Sequence, residues 1–147
     1  MVLLIRGGGI AAGVHATTPY AELLSELLIS HGIDVINRSR DRDTTFQGCW
    51  SFEEDIAPYR PELVLFHFCI DDIYRPVYRS EFKENLVQLV RLCRARYNST
   101  IFLATAHPFS GDFEMQSALI YYRTIREVAI DLNCHYIPIH YLIADEL

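Results

Sequence analysis

The sequence predicts an α/β fold, a three-layer α/β/α sandwich around a five-stranded parallel sheet of the flavodoxin-like kind. Short apolar runs near residues 2–5, 33–36, 63–68, 101–104 and 136–139 alternate with longer segments whose apolar residues recur at helical spacing. The first run, VLLI, passes within one residue into Gly7-Gly8-Gly9, and an apolar run closed by glycine suits an interior strand of a parallel sheet. No linker or low-complexity tract divides the 147 residues, so residues 1–147 are expected to form a single domain.

The elements follow in order. After the glycines, Thr18 is read as an N-cap and Pro19 as the first helical position, with Tyr20, Leu23, Leu24, Leu27 and Leu28 on one face and Gly32 as the stop. Ile33–Ile36 makes a second strand, and the polar segment 37–48 that follows reads as a functional loop. Ser51-Phe-Glu-Glu54 has the pattern of a capping box opening a short helix that Pro58 or Pro61 ends. Leu63–Phe68 is the third strand, and CIDDIYRPVYR after it reads as a loop exposing Asp71 and Asp72. Ser80 is read as the cap of a helix with Phe82, Leu86, Leu89, Val90 and Cys93 on one face and arginines near its end. Ile101–Ala104, the loop His107–Asp112, a helix from about Glu114 to Leu132 and a last strand Tyr136–Ile139 complete the alternation.

Composition narrows the function classes. Half of the residues are hydrophobic and the formal net charge is −6, a balance without the basic field that nonspecific nucleic-acid or anionic-lipid binding needs. No apolar run approaches the roughly 18 residues of a membrane span, so neither membrane nor nucleic acid is an expected partner. Cys49, Cys69, Cys93 and Cys134 form no CxxC pair and follow no secretory signal, which points to reduced thiols and a cytoplasmic location. No metal or other cofactor is expected.

Three readings of the chemistry compete. Gly7-x-Gly9-x-x-Ala12 fits a loose dinucleotide fingerprint, with Arg38 or Arg40 placed to meet a 2′-phosphate, although Thr18-Pro19 starts the helix later than that fingerprint requires. Asp71 and Asp72 form an acid–base or metal pair in a second reading, with His107 as base or ligand, although a metal would need further ligands. His67 within the third strand reads as a hydrogen-bonded core histidine, and Cys69 as a packed thiol whose pKa the nearby carboxylates raise.

The third reading comes from a resemblance. VLLIRGGGIAAG resembles the first block of the SGNH, or GDSL-type, hydrolases, whose GDSxTxG-like loop follows the first strand of such a sandwich. VINRSRDRDTT at 35–45 is similar to the second block, RPELVLFHFCIDD at 60–72 to the segment ending in GxND, and TIREVAIDLNCHYIPI at 124–139 to the last helix and strand. The resemblance implies an SGNH-hydrolase-like fold in which Gly9 stands at the nucleophilic serine, Gly8 at its aspartate and Arg42 at the second-block glycine that donates a backbone N–H to the oxyanion. Cys69 and Asp71 then replace the glycine and asparagine of GxND, and Asp145 falls at the aspartate of a DGLH-like last block whose histidine is not in the sequence.

A chain with these substitutions is expected to be a pseudoenzyme, because losing the nucleophile alone costs on the order of a million-fold in turnover. The expected role is a binding or interaction module for a small acyl, carbohydrate or anionic ligand at Gly7, Gly8, Gly9, Arg42, Asp71, Asp72 and His107. A relocated active site at Asp71, Asp72 and His107 is the alternative, and a nucleotide binder at Gly7–Gly13 the third. A homodimer or another protein is the expected macromolecular partner. Arg42 is further predicted to pair with Asp71 or Asp72, filling the vacated pocket.

Overall fold

The computed structural model describes residues 1–75 and 77–144. Strands β1 (Val2–Gly7), β2 (Asp34–Asn37), β3 (Leu63–His67), β4 (Thr100–Ala104) and β5 (His135–Ile137) form one parallel sheet in the order β2-β1-β3-β4-β5. This is the doubly wound order of the flavodoxin-like class, so the expected fold is the observed one. The strand bounds differ from the sequence reading by at most two residues. Register is set by alternation: Leu4, Val64, Phe66, Ile101 and Leu103 enter one core, whereas Leu3, Ile5, Leu65 and Ala104 enter the other.

The helices in chain order are α1 (Gly9–Ala12), α2 (Tyr20–Leu28), α3 (Thr45–Trp50), α4 (Phe52–Asp55), α5 (Ile70–Tyr74), α6 (Arg79–Tyr97), α7 (Asp112–Asp131) and α8 (Ile139–Leu142). Helices α6 and α7 bring Phe82, Leu86, Leu89, Val90, Tyr122, Ile125 and Val128 into the larger core, as their periodicity requires. The opposite face is thinner. Its buried members are Leu3, Ile5, Ala11, Ala21, Leu65 and Ala104, with α2 the only helix longer than a single turn among those that contribute.

Several local expectations are corrected. Helix α1 begins inside the glycine turn and lasts one turn, ended by Gly13 at φ +83°, so the chain starts a helix there before the one at Tyr20. Pro19, not Thr18, is the N-cap of α2, and Tyr78, not Ser80, that of α6. The segment read as one loop over 37–48 ends in α3, opened by a true capping box: Thr44 Oγ1 accepts from the Phe46 amide and Gln47 Oε1 from the Thr44 amide. Ser51 caps nothing with its side chain, because its hydroxyl is turned to the Gln47 carbonyl and the Asp55 carboxylate. The segment after β3, also read as a loop, forms α5, and both aspartates sit in its first turn, where carboxylates suit the helix dipole.

Candidate functional site

The centre of the sheet places β1 beside β3, and the connections after these two strands leave in opposite directions toward β2 and β4. Ligands of such sheets bind in the crevice at this switch point, beyond the carboxyl ends of the strands. Gly7–Gly9, the segment 38–44 and Cys69–Asp72 meet there.

Glycine permits this meeting. A β-carbon at position 7 would lie 2.1 Å from the His67 carbonyl oxygen, and one at position 8 would lie 2.2 Å from Asp71 Oδ2 and 2.6 Å from the Asp43 carbonyl oxygen. The Gly9 amide donates to Asp71 Oδ2 at 2.8 Å. A β-carbon at position 9 would meet only Asp41 Oδ1, at 3.0 Å, at less than ordinary contact distance. Between these loops a cavity of about 10 Å³ remains, bounded by Gly8, Gly9, His67, Phe68, Cys69 and Asp71, with room for about one water.

The two aspartates face different surroundings. Asp71 is half-buried, and its pKa is raised by burial and by Asp41 and Asp43 against the lowering effect of the Gly9 amide and Arg75. Asp72 is fully buried; its Oδ1 accepts from the Thr45 amide at 3.0 Å and from Thr45 Oγ1 at 2.6 Å. Its Oδ2 has no partner among the described residues, and burial pushes this carboxyl up to about 7 despite the two Thr45 bonds. Asn85 of α6 donates to Thr45 Oγ1, so Asp72 ties α5 to α3 and, through Thr45, to α6.

A buried ion network underlies the 38–44 segment. Arg6, directly after the first apolar run and near the end of β1, has no exposed surface and donates to Asp43 Oδ2 at 2.7 Å; its Nε lies 3.5 Å from Asp55 Oδ2. Asp55, equally buried, accepts both terminal nitrogens of Arg40 at 2.7 Å and Arg38 Nη2 at 3.0 Å. Burial works to raise the Asp55 pKa, but Ser51 and the three arginines outweigh it and hold the carboxyl below the ordinary aspartate value. Arg38 and Arg40, the candidates for a 2′-phosphate, are thus engaged by Asp55. The sequence reading overlooked this network, although an arginine at the end of a buried strand is itself a signal, since such a charge requires acidic partners.

His67 is the core histidine expected. Nε2 lies 3.0 Å from the Thr105 carbonyl oxygen, which can only accept, so Nδ1 receives the Tyr20 hydroxyl at 2.8 Å. Burial lowers its pKa to about 4, which keeps the ring neutral. Burial, and secondarily Asp72, drives the Cys69 thiol well above its ordinary value, as the packing reading anticipated. All four cysteines are free.

His107 is exposed, with Nδ1 3.0 Å from the Pro108 carbonyl oxygen, and it borders an apolar trough between α2 and β5. Among the described residues no hydrogen bond joins His107 to Asp71 or Asp72. None of the described residues forms a group of three or more His, Cys, Asp or Glu side chains able to hold a metal ion.

The predicted pairing of Arg42 with Asp71 or Asp72 is overturned. The Arg42 side chain is 72% exposed, and the carboxylate it approaches is that of Asp41, at 4.0 Å. Its backbone lies at φ +66°, and the Gly9 amide and Thr45 hold one carboxylate oxygen of Asp71 and of Asp72. Asp145 lies outside the described residues. No helix among the described residues is long and apolar enough to cross a membrane.

Comparison with known proteins agrees with this architecture. Residues 4–147 match the model of the GDSL-like lipase/acylhydrolase family. No curated protein sequence matches the chain. Among solved structures, a catalytic mutant of an acetylxylan esterase from Geobacillus stearothermophilus superposes with a TM-score of 0.81 at 20% identity, over 97% of this chain and 80% of that one. A lipase/acylhydrolase from Enterococcus faecalis superposes with a TM-score of 0.82 at 20% identity, over 98% of this chain and 79% of that one.

Proposed function

The chain belongs to the GDSL-like lipase/acylhydrolase family, and from that premise we propose that it binds a small ligand at the family's site without hydrolysing it. The observation that carries this reading is the 2.8 Å bond from the Gly9 amide to the Asp71 carboxylate. By the resemblance of the blocks, Gly9 stands where the family's serine attacks, and a glycine has no oxygen to do so. Asp71 stands where an asparagine would donate to a developing oxyanion; its carboxylate repels one and occupies the amide as well.

The backbone supports the same correspondence. Arg42 at φ +66° and Cys69 at φ +155° stand where the family pattern has glycine, and both hold conformations that favour glycine. The scaffold has kept the shape while the side chains differ.

With room for about one water between the loops, the ligand rests on their outer surface. Asp41 and Asp71 oppose an anion there, so the ligand class is neutral, an acyl ester or a carbohydrate. Exposed Tyr74, Tyr78 and Phe113 on the neighbouring segments offer aromatic faces to such a ligand.

The test has two parts. Wild type is assayed on a panel of p-nitrophenyl esters from acetate to octanoate, beside Gly9→Ser and Asp72→Ala, and no turnover above buffer is expected for wild type. Wild-type turnover that disappears in Asp72→Ala would establish a relocated hydrolase instead. In parallel, an acetylated methyl xyloside is titrated against amide-labelled protein; shifts at Gly8 and Gly9 are expected, and their absence sinks the binding role.

A further inference from the structure

The outer face of α3 carries two aromatic rings that the core does not use. Phe46 and Trp50, one helical turn apart, are 48% and 81% exposed, and their rings lie 6.0 Å apart between centres with planes within 17° of parallel. The helix beneath them is fixed on its inner side. The Thr44–Gln47 capping box closes its first turn, Thr45 is bonded to Asp72, and the Cys49 thiol donates to the Asn85 carbonyl oxygen at 3.5 Å. Gly48 lets the backbone settle on the Phe68 ring, which a β-carbon would meet at 2.8 Å. The pair is therefore presented ready-made, without the ordering that a loop would need on binding.

This surface is continuous with the glycine loop. The Asp43 carbonyl oxygen crowds Gly8, and Asp41 Oδ1 crowds Gly9. Phe46 follows Asp43 by three residues, a separation of at most about 11 Å. Asp41 and Arg42, 56% and 72% exposed, add an acceptor and several donors on the same segment. The rings also lie on the α6 side of the sheet, whereas Ile143, near the end of the described residues, borders α2 on the other side.

We propose that the Phe46–Trp50 pair is a platform for the sugar rings of a saccharide ligand; the inference rests on the binding role proposed for the glycine loop and names the carbohydrate of its two neutral classes. A pyranose turns a face of C–H groups to the negative face of an aromatic ring and keeps hydroxyls at its edge, where Asp41 and Arg42 can meet them. An acyl chain needs a concave apolar enclosure, and two exposed rings supply none. Bases also stack on aromatic side chains, but a net charge of −6 gives the phosphates of a polynucleotide no attraction. A second copy of the chain would gain too little from them. Two aromatic side chains bury about 150–250 Å² each even when fully covered, against about 800 Å² per partner in a stable interface.

Tryptophan emission of the full chain reads the platform directly, because Trp50 is its single source. Titration with xylotetraose from about 0.1 to 10 mM, the range of weak one-site binding, is expected to shift the emission saturably. Phe46→Ala is expected to raise the dissociation constant about two- to tenfold, and Phe46→Tyr to keep it within about twofold of wild type. An emission that does not respond to xylotetraose overturns the proposal, as does an equal response to the acyclic polyol sorbitol or a response to methyl octanoate alone. Binding undiminished in Phe46→Ala also overturns it. Amide shifts at Gly8 and Gly9 with the acetylated methyl xyloside tell the two roles apart. Those shifts beside a silent Trp50 overturn the platform alone, whereas a responding Trp50 without them supports the platform and sinks the role of the glycine loop.

Discussion

Residues 7 and 9 are both glycine, yet their surroundings demand different things of them. At position 7 a β-carbon would press on the backbone of β3, the neighbouring central strand, which cannot retreat without parting the sheet. Gly7→Ala is therefore expected to lower stability by about 2–3 kcal/mol or more. At position 9 the obstacle is the tip of the Asp41 side chain, 56% exposed and free to turn away, so Gly9→Ala is expected to cost less than about 1 kcal/mol. Urea denaturation of the two variants checks the contrast; equal costs would show that position 7 is not a point of contact between strands. Asp72 and His67 present a second pair. Asp72 titrates near 7 in the fold against an ordinary 3.8, so its contribution is fully present at low pH and is lost as pH rises toward 7. His67 titrates near 4 against an ordinary 6.5, so its contribution is present above 6.5 and is lost as pH falls toward 4. Asp71 adds to the first slope and His140 to the second, and between about pH 4 and 6.5 the two oppose. Removing one side uncovers the other: Asp72→Asn is expected to become more stable with rising pH over that interval, by up to about 1.4 kcal/mol per unit. Urea midpoints at pH 4.5, 5.5 and 6.5 measure it, and a variant with the wild-type profile would discount Asp72 as a titrating group.

Elements differ in how they are fixed. Strands β1 and β3 and helices α6 and α7 follow from patterns of apolar residues, so the sequence reveals them to within a few residues. Helices α3 and α5 are six and five residues long, too short for periodicity to register. They hold because Thr44 and Gln47 cap one and Asp72 binds it to the other, and Thr44-x-x-Gln47 was the local sign available. The aspartates at the site are legible from their position after a strand; the exposure of Arg42 is not, since it depends on how the segment 38–44 is held in three dimensions. The segment 38–44 is held by Asp55 of α4. Asp55→Ala, which leaves the buried Arg6 with Asp43 alone, is expected to cost about 3–5 kcal/mol. Arg6→Met leaves Asp55 with Arg38 and Arg40 and is expected to cost distinctly less, about 1–2 kcal/mol. Thermal melts of both variants at high and low salt test the ranking. A larger loss in Arg6→Met would mean that the arginine, not the carboxylate, organises the network.

On the scale of the whole molecule, a fold of this class sets the place of a site before it sets the chemistry there. The parallel order and the switch point between β1 and β3 follow from the alternation of strands and helices, and so does the location of the glycine loop. Which amide faces which carboxylate does not, because it depends on contacts between segments sixty residues apart, as with Gly9 and Asp71. The conformations of Arg42 and Cys69 bear on a different property of the chain. A residue held in a sparsely populated backbone region costs on the order of 1–3 kcal/mol, against a total stability of about 5–15 kcal/mol for a typical domain. Two such residues consume a sizeable part of that margin and leave less of it to absorb later substitutions. The tolerance of this sequence to mutation is thus limited by two backbone angles at its site as well as by its core.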